Sequence, residues 1–176
     1  MRSKIPLFIL IATVIAYSFS LFYWPATLPN RIATHFGSTG HPNGWMTHGQ
    51  YLALNFFVGF GLPAFVIGIC YSIRFFPAST LNVPNASYWR SPDHYPKACQ
   101  ILLDFSFYFA SIHLLWTIAL NHRLLLANQA HPPFMPPQSI LLNPGVYLIA
   151  MGIWIAGLVI KFSCIRVPVG ENQEQI

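Results

Sequence analysis

Charge is what this chain has least of. Only 7% of its 176 residues are Asp, Glu, Lys or Arg, against about a quarter in an ordinary soluble domain. Acids are rarest: Asp93, Asp104, Glu171 and Glu174 are the complete set. No pair of carboxylates is placed for acid–base work, and there is no His-Glu-x-x-His, P-loop or Gly-x-Ser-x-Gly pattern. The chain is therefore expected to be non-enzymatic and to need no cofactor. The three cysteines, Cys70, Cys99 and Cys164, are odd in number and form no Cys-x-x-Cys pair. That argues against a disulfide framework and a thiolate metal site, and leaves them as small apolar packing residues. The net charge of +5 comes without a basic stripe interleaved with stacking aromatics, so no nucleic-acid partner is implied. Lys and Arg beside a lipid headgroup layer explain it.

Apolar length fills the gap that charge leaves. Hydrophobic residues make up 55% of the chain. They gather into four runs, Ile5–Trp24, Tyr51–Phe76, Cys99–Leu120 and Ile140–Cys164. Each reaches the ~20 residues that a helix needs to cross about 30 Å of hydrocarbon. In water such a composition would expose large apolar patches and aggregate; in a bilayer it is required. The first run also has features of a signal peptide, with Arg2 and Lys4 before it and Ser18–Ser20 as a small-x-small triplet. It continues through Leu21, Phe22, Tyr23 and Trp24, and a retained span is the better reading. The expected fold is all-α: a polytopic membrane protein of four transmembrane helices, residues 1–166, whose partner is the lipid bilayer.

With four spans both termini share one side. That side holds seven of the nine basic residues, leaving only Arg31 and Arg123 on the other. The positive-inside rule then places both termini and loop 77–97 in the cytoplasm, and loops 25–50 and 121–139 outside. The polar tail, Val167–Ile176, is expected to be disordered.

In the first loop Gly37, Gly40, Pro42 and Gly44 crowd together, and Asn43-Gly44 reads as a turn. Gly40 and Gly44 are both expected at positive φ, and Trp45 at the headgroups. Pro63 predicts a kink in the second helix. In the cytoplasmic loop Pro84, Pro92 and Pro96 exclude a long helix. His131–Pro137 is a stiff extended stretch. Asn143-Pro144 reads as an N-cap followed by proline at the first helical position, so the fourth helix is expected to begin there.

Polar residues inside the runs are functional candidates by default. Asp104 shares a helical phase with Lys97 and Ser111, and Arg74 and Lys161 are further candidate partners. His113 lies on roughly the opposite face. Five histidines, His35, His41, His48, His122 and His131, fall in external loops, but their spacing is no metal motif. Metal binding and pH sensing stay open beside a simple surface role, with His35 packed into the loop fold.

Two motifs carry a resemblance. The external loop contains Leu28-Pro29, then Ile32, His35 and Phe36, then Gly40, Pro42, Asn43, Gly44 and Trp45. The cytoplasmic loop contains Asn82, Pro84 and Asn85, followed by Tyr88 and Trp89. Together they resemble the bacterial membrane family known as domain of unknown function 1648, which includes the N-terminal part of SdpI-like toxin-immunity proteins. The resemblance implies a multi-pass protein of the bacterial cytoplasmic (inner) membrane that recognises a peptide or protein partner through its external loop. Ala33 stands where the family commonly has proline, Asn43 where it has aspartate and His48 where it has lysine. This chain stops after the fourth run, so a full immunity and signalling role is not implied. A small transporter or channel component using Asp104 and the kinked second helix is the alternative, and a histidine-dependent metal-binding membrane protein the next.

Overall fold

The computed structural model describes residues 4–23 and 28–165. The expected tail at 167–176 lies outside them, as do Arg2, Trp24 and Arg166. Four helices are long and apolar enough to cross a membrane: Ile5–Tyr23, His48–Phe75, Tyr95–Gln129 and Pro137–Ser163. We label the first α1. The second comprises α2 (His48–Phe56), a π-helical turn (Phe57–Gly61), α3 (Leu62–Ser72) and a closing 3₁₀ turn (Ile73–Phe75). A four-residue helix α4 (Ala86–Trp89) follows, then α5 (Tyr95–Gln129) and α6 (Pro137–Ser163). The protein is an all-α polytopic membrane protein.

α5 is the post around which the others stand. Half of its apolar stretch is buried in the bundle, against only 6% for α6. At 35 residues it is about 52 Å long at 1.5 Å per residue, well beyond one hydrocarbon thickness. The surplus corrects the expected loop 121–139. Residues up to Gln129 stay helical because Asn121, Leu124, Leu125, Ala127 and Asn128 are buried; the extension carries a packed face of its own.

That face holds the one sheet among the described residues. β1 (Arg31–Phe36) and β2 (Pro42–Thr47) form an antiparallel hairpin with an irregular register beside His35. Asn43-Gly44 therefore lies within β2 and is not the turn. The chain reverses at Gly37–Gly40, where Gly40 N–H donates to the Gly37 carbonyl at 2.9 Å. Gly40 alone among the described glycines has positive φ, +85°. Gly44 is required for a different reason: a Cβ there would stand 2.8 Å from the His35 Cβ across the hairpin.

Two more boundaries differ from expectation. α2 begins at His48, capped by Thr47 and Gln50 in a reciprocal capping box. α6 begins at Pro137, so Pro144 lies inside the helix. Prolines at 136 and 137 already present the fixed φ that suits a helix start, and the later Asn-Pro signal is overridden.

Candidate functional site

The hairpin end is the most elaborated part of the molecule. Leu28, Ile32, Ala33 and Phe36 face inward and pack with Tyr51, Leu124, Leu125, Ala127 and Met135. Ala33 is fully buried. Its N–H donates to Asn128 Oδ1 at 2.8 Å, and its carbonyl accepts from Asn128 Nδ2 at 2.9 Å. A carboxamide offers the same donor–acceptor pair as a peptide group. Asn128 thus completes the open edge of β1 as one residue of a third strand would. The turn is held separately, by Met135 N–H donating to the Gly40 carbonyl at 3.0 Å.

The opposite face of the hairpin is exposed. The Arg31 guanidinium lies 5.8 Å from the Trp45 ring centroid, a cation–π distance. His35 Nδ1 bonds Asn43 Oδ1. His35 is exposed rather than packed into the loop fold, so that expectation is corrected; its tie is sideways, across the strands. Pro29 is exposed and Pro42 half-buried. Arg31, His35, Asn43 and Trp45 form a rigid polar and aromatic surface at one end of the bundle.

Beneath the hairpin runs a buried amide chain that sequence reasoning missed. Tyr17 Oη donates to the Asn55 carbonyl at 2.7 Å, Asn121 Nδ2 to Asn55 Oδ1 at 2.6 Å, and Asn55 Nδ2 to the Tyr51 carbonyl at 2.9 Å. These bonds join α1, α2 and α5 in an apolar interior, where polar side chains act as glue between helices. The chain borders a cavity of about 360 Å³ lined by residues including Thr34, His35, Met46, Trp116 and Leu120. The available signal was asparagine within or beside apolar runs.

His113 has a definite structural task. Leu62 N–H reaches back five residues to the Phe57 carbonyl. In that wide register Val58 would need an N–H from residue 63, which is proline and has none. His113 Nε2 takes its place, 3.0 Å from the Val58 carbonyl, and Nδ1 lies 3.0 Å from the Tyr147 hydroxyl. A carbonyl can only accept, so Nε2 carries hydrogen; in the neutral ring Nδ1 then accepts from Tyr147. Where Pro63 led to the expectation of a kink, the helix carries a π-turn satisfied from α5, with right-handed helical geometry on both sides of it. Gly59, within that turn, lets α1 approach, since a Cβ there would collide with the hydroxyl edge of the Tyr17 ring.

At the other end the second motif serves α6. Asn85, in the left-handed region at φ 56°, donates through Nδ2 to the Ser163 carbonyl at 3.0 Å and the Phe162 carbonyl at 3.3 Å. Trp89 Nε1 donates to Phe162 at 2.9 Å. Carbonyls of a last helical turn have no intrahelical donors, and these two side chains supply them. Tyr88 lies edge-on to Trp89 and tilted over His94, with ring centroids 5.0 and 3.9 Å away. Asn82 and Pro84 are exposed.

Asp104 is half-buried, and its Oδ1 accepts from Gln100 Nε2 at 2.6 Å. Gln100 is thus its hydrogen-bond partner, and the expected pairing with Lys97, Arg74, Lys161 or Ser111 is corrected. A glutamine one turn away can donate without the desolvation that an ion pair would demand. Asp104 and His113 bond to different groups and form no relay. Among the described residues no three His, Cys, Asp or Glu side chains come together to hold a metal ion.

These features define an integral membrane protein of four spanning helices with a structured hairpin at one end. Residues 8–67 match the family model for a domain of unknown function, DUF1648, and the chain carries that domain across α1, the hairpin and α2 into α3. Comparison with curated proteins and with solved structures gives no significant match.

Proposed function

We propose that this is a non-enzymatic membrane protein that recognises a peptide or protein partner on the outer side of a bacterial cytoplasmic membrane, through the exposed face of its hairpin. The observation that carries the reading is the double anchoring of that hairpin. Asn128 pairs its edge and Met135 holds its turn, yet Arg31, His35, Asn43 and Trp45 stay exposed. Presenting a polar and aromatic face on a rigid support lowers the ordering cost of binding. Arg and Trp are the residue types that most often dominate interface energies. The resemblance to SdpI-like proteins makes immunity against a secreted peptide the first form to test.

The experiment is a protection assay. A sensitive host expressing the chain is exposed to peptides secreted by the source strain. Survival is expected with the wild type. It is expected to be lost with Arg31→Ala combined with Trp45→Ala, at an unchanged amount of protein in the membrane. Equal survival with and without the chain, or an unaffected double variant, overturns the proposal.

A further inference from the structure

The hairpin end has a second feature, on the flank between α5 and α6. Two adjoining cavities of about 500 and 160 Å³ both include Arg123, Met135 and Ser139 in their walls. The smaller one continues to Leu124, Ile140 and Asn143. Arg123 has no hydrogen-bond or ion-pair partner among the described residues, although it is half-buried. Asn143 is 6% exposed, and its Nδ2 is buried without a partner. An unpaired buried donor costs free energy that something in the native setting must offset. The start of α6 has no side-chain cap, and a helix start favours negative charge.

These groups follow an order. Arg123 and Ser139 stand where the cavities join. Asn143 is one helical turn further along α6 than Ser139, about 6 Å. Leu124 and Ile140 supply apolar wall, and α6 has almost no cover from the rest of the chain. A cation, then an amide donor one turn deeper, beside uncovered hydrocarbon, is the complement of a phosphodiester, an ester carbonyl and an acyl chain.

We infer that this groove binds one anionic glycerophospholipid of the leaflet on the hairpin side, with its phosphate on Arg123 and an ester carbonyl on Asn143 Nδ2. The inference goes beyond partner recognition and is independent of which way the protein faces. A guanidinium is the preferred partner of a phosphate oxygen pair, and the carbonyl satisfies the orphaned amide. An acyl chain lies along Leu124 and Ile140 and covers part of α6.

The test is native mass spectrometry of the purified full chain, released from detergent containing dioleoyl phosphatidylglycerol or dioleoyl phosphatidylcholine. One phosphatidylglycerol retained per chain is expected, in preference to phosphatidylcholine. Arg123→Gln is expected to lower retention about tenfold, and Arg123→Lys to keep more of it than Gln does. Asn143→Leu is expected to lower retention while leaving the thermal midpoint unchanged or raised, because an apolar side chain removes the unpaired donor. Equal retention by wild type, Arg123→Gln and Asn143→Leu overturns the inference, as does equal retention of the two lipids. Displacement of the lipid by excess glycerol 3-phosphate would make this a site for a soluble phosphate. A dimer that excludes lipid would make it an interface between copies.

Discussion

Asn128→Leu removes the clamp on β1 with little change of side-chain volume. The wild-type amide makes two bonds with Ala33, a residue with no solvent exposure, at 2.8 and 2.9 Å, and its Nδ2 also donates to the Leu124 carbonyl at 2.8 Å. Leucine would leave one N–H and one carbonyl buried and unpaired. Each orphaned group costs about 1–3 kcal/mol, so closing the hairpin against α5 becomes about 2–6 kcal/mol less favourable. The buried side chains Ile32 and Phe36 still hold the strand in contact, and the bundle below should stay folded. The effect is therefore local opening, best read by amide hydrogen exchange over residues 31–47 in detergent. At 1.4 kcal/mol per tenfold, the lower bound corresponds to exchange about thirty-fold faster. Asn128→Asp, which keeps an acceptor for the Ala33 N–H but loses the donor, should fall between. Ala33→Pro should open the same segment, because proline cannot donate to Asn128. Unchanged exchange over 31–36 in folded Asn128→Leu protein would refute the claim that this amide completes the sheet edge.

Three further outcomes are expected. Gly59→Ala drives a Cβ into the hydroxyl edge of the Tyr17 ring and should destabilise by about 1–3 kcal/mol or more in denaturant titration from mixed micelles, whereas Gly68→Ala, where a Cβ meets nothing within 4 Å, should not; equal effects would disprove the close approach of α1. His113→Leu leaves the Val58 carbonyl without a donor and should cost about 1–3 kcal/mol in the same titration, with partial recovery in His113→Gln, whose amide can still donate; a neutral His113→Leu would show that another group serves that carbonyl. For orientation, Thr39→Cys and Ser79→Cys in a variant lacking the native cysteines should respond oppositely to an impermeant thiol reagent on intact cells, with the first modified and the second spared; the reverse pattern would put the hairpin inside.

Composition and run length alone determined that the chain belongs in a bilayer and crosses it four times. Both follow from hydropathy and helix rise, which depend on no partner. The missing donor at Pro63 and the positive φ at Gly40 were also legible, because missing donors and missing β-carbons are properties of single residues. What the tertiary structure decided were the partners. Asn128, Asn55, His113, Asn85 and Trp89 each carry a donor that could have faced water, headgroups or another helix. Only the packed bundle shows that they meet Ala33, Asn121, Val58 and the last turn of α6. The helix ends were hidden for the same reason. α5 continues to Gln129 because the hairpin gives its last turns something to bury against, and α6 starts before Asn143-Pro144 because an earlier proline pair already sets its first turn. Gly44 looked like a turn glycine and is instead a strand glycine, needed for room beside His35. A local signal says that a β-carbon is unwelcome; the fold says whether φ or a neighbouring side chain is the cause.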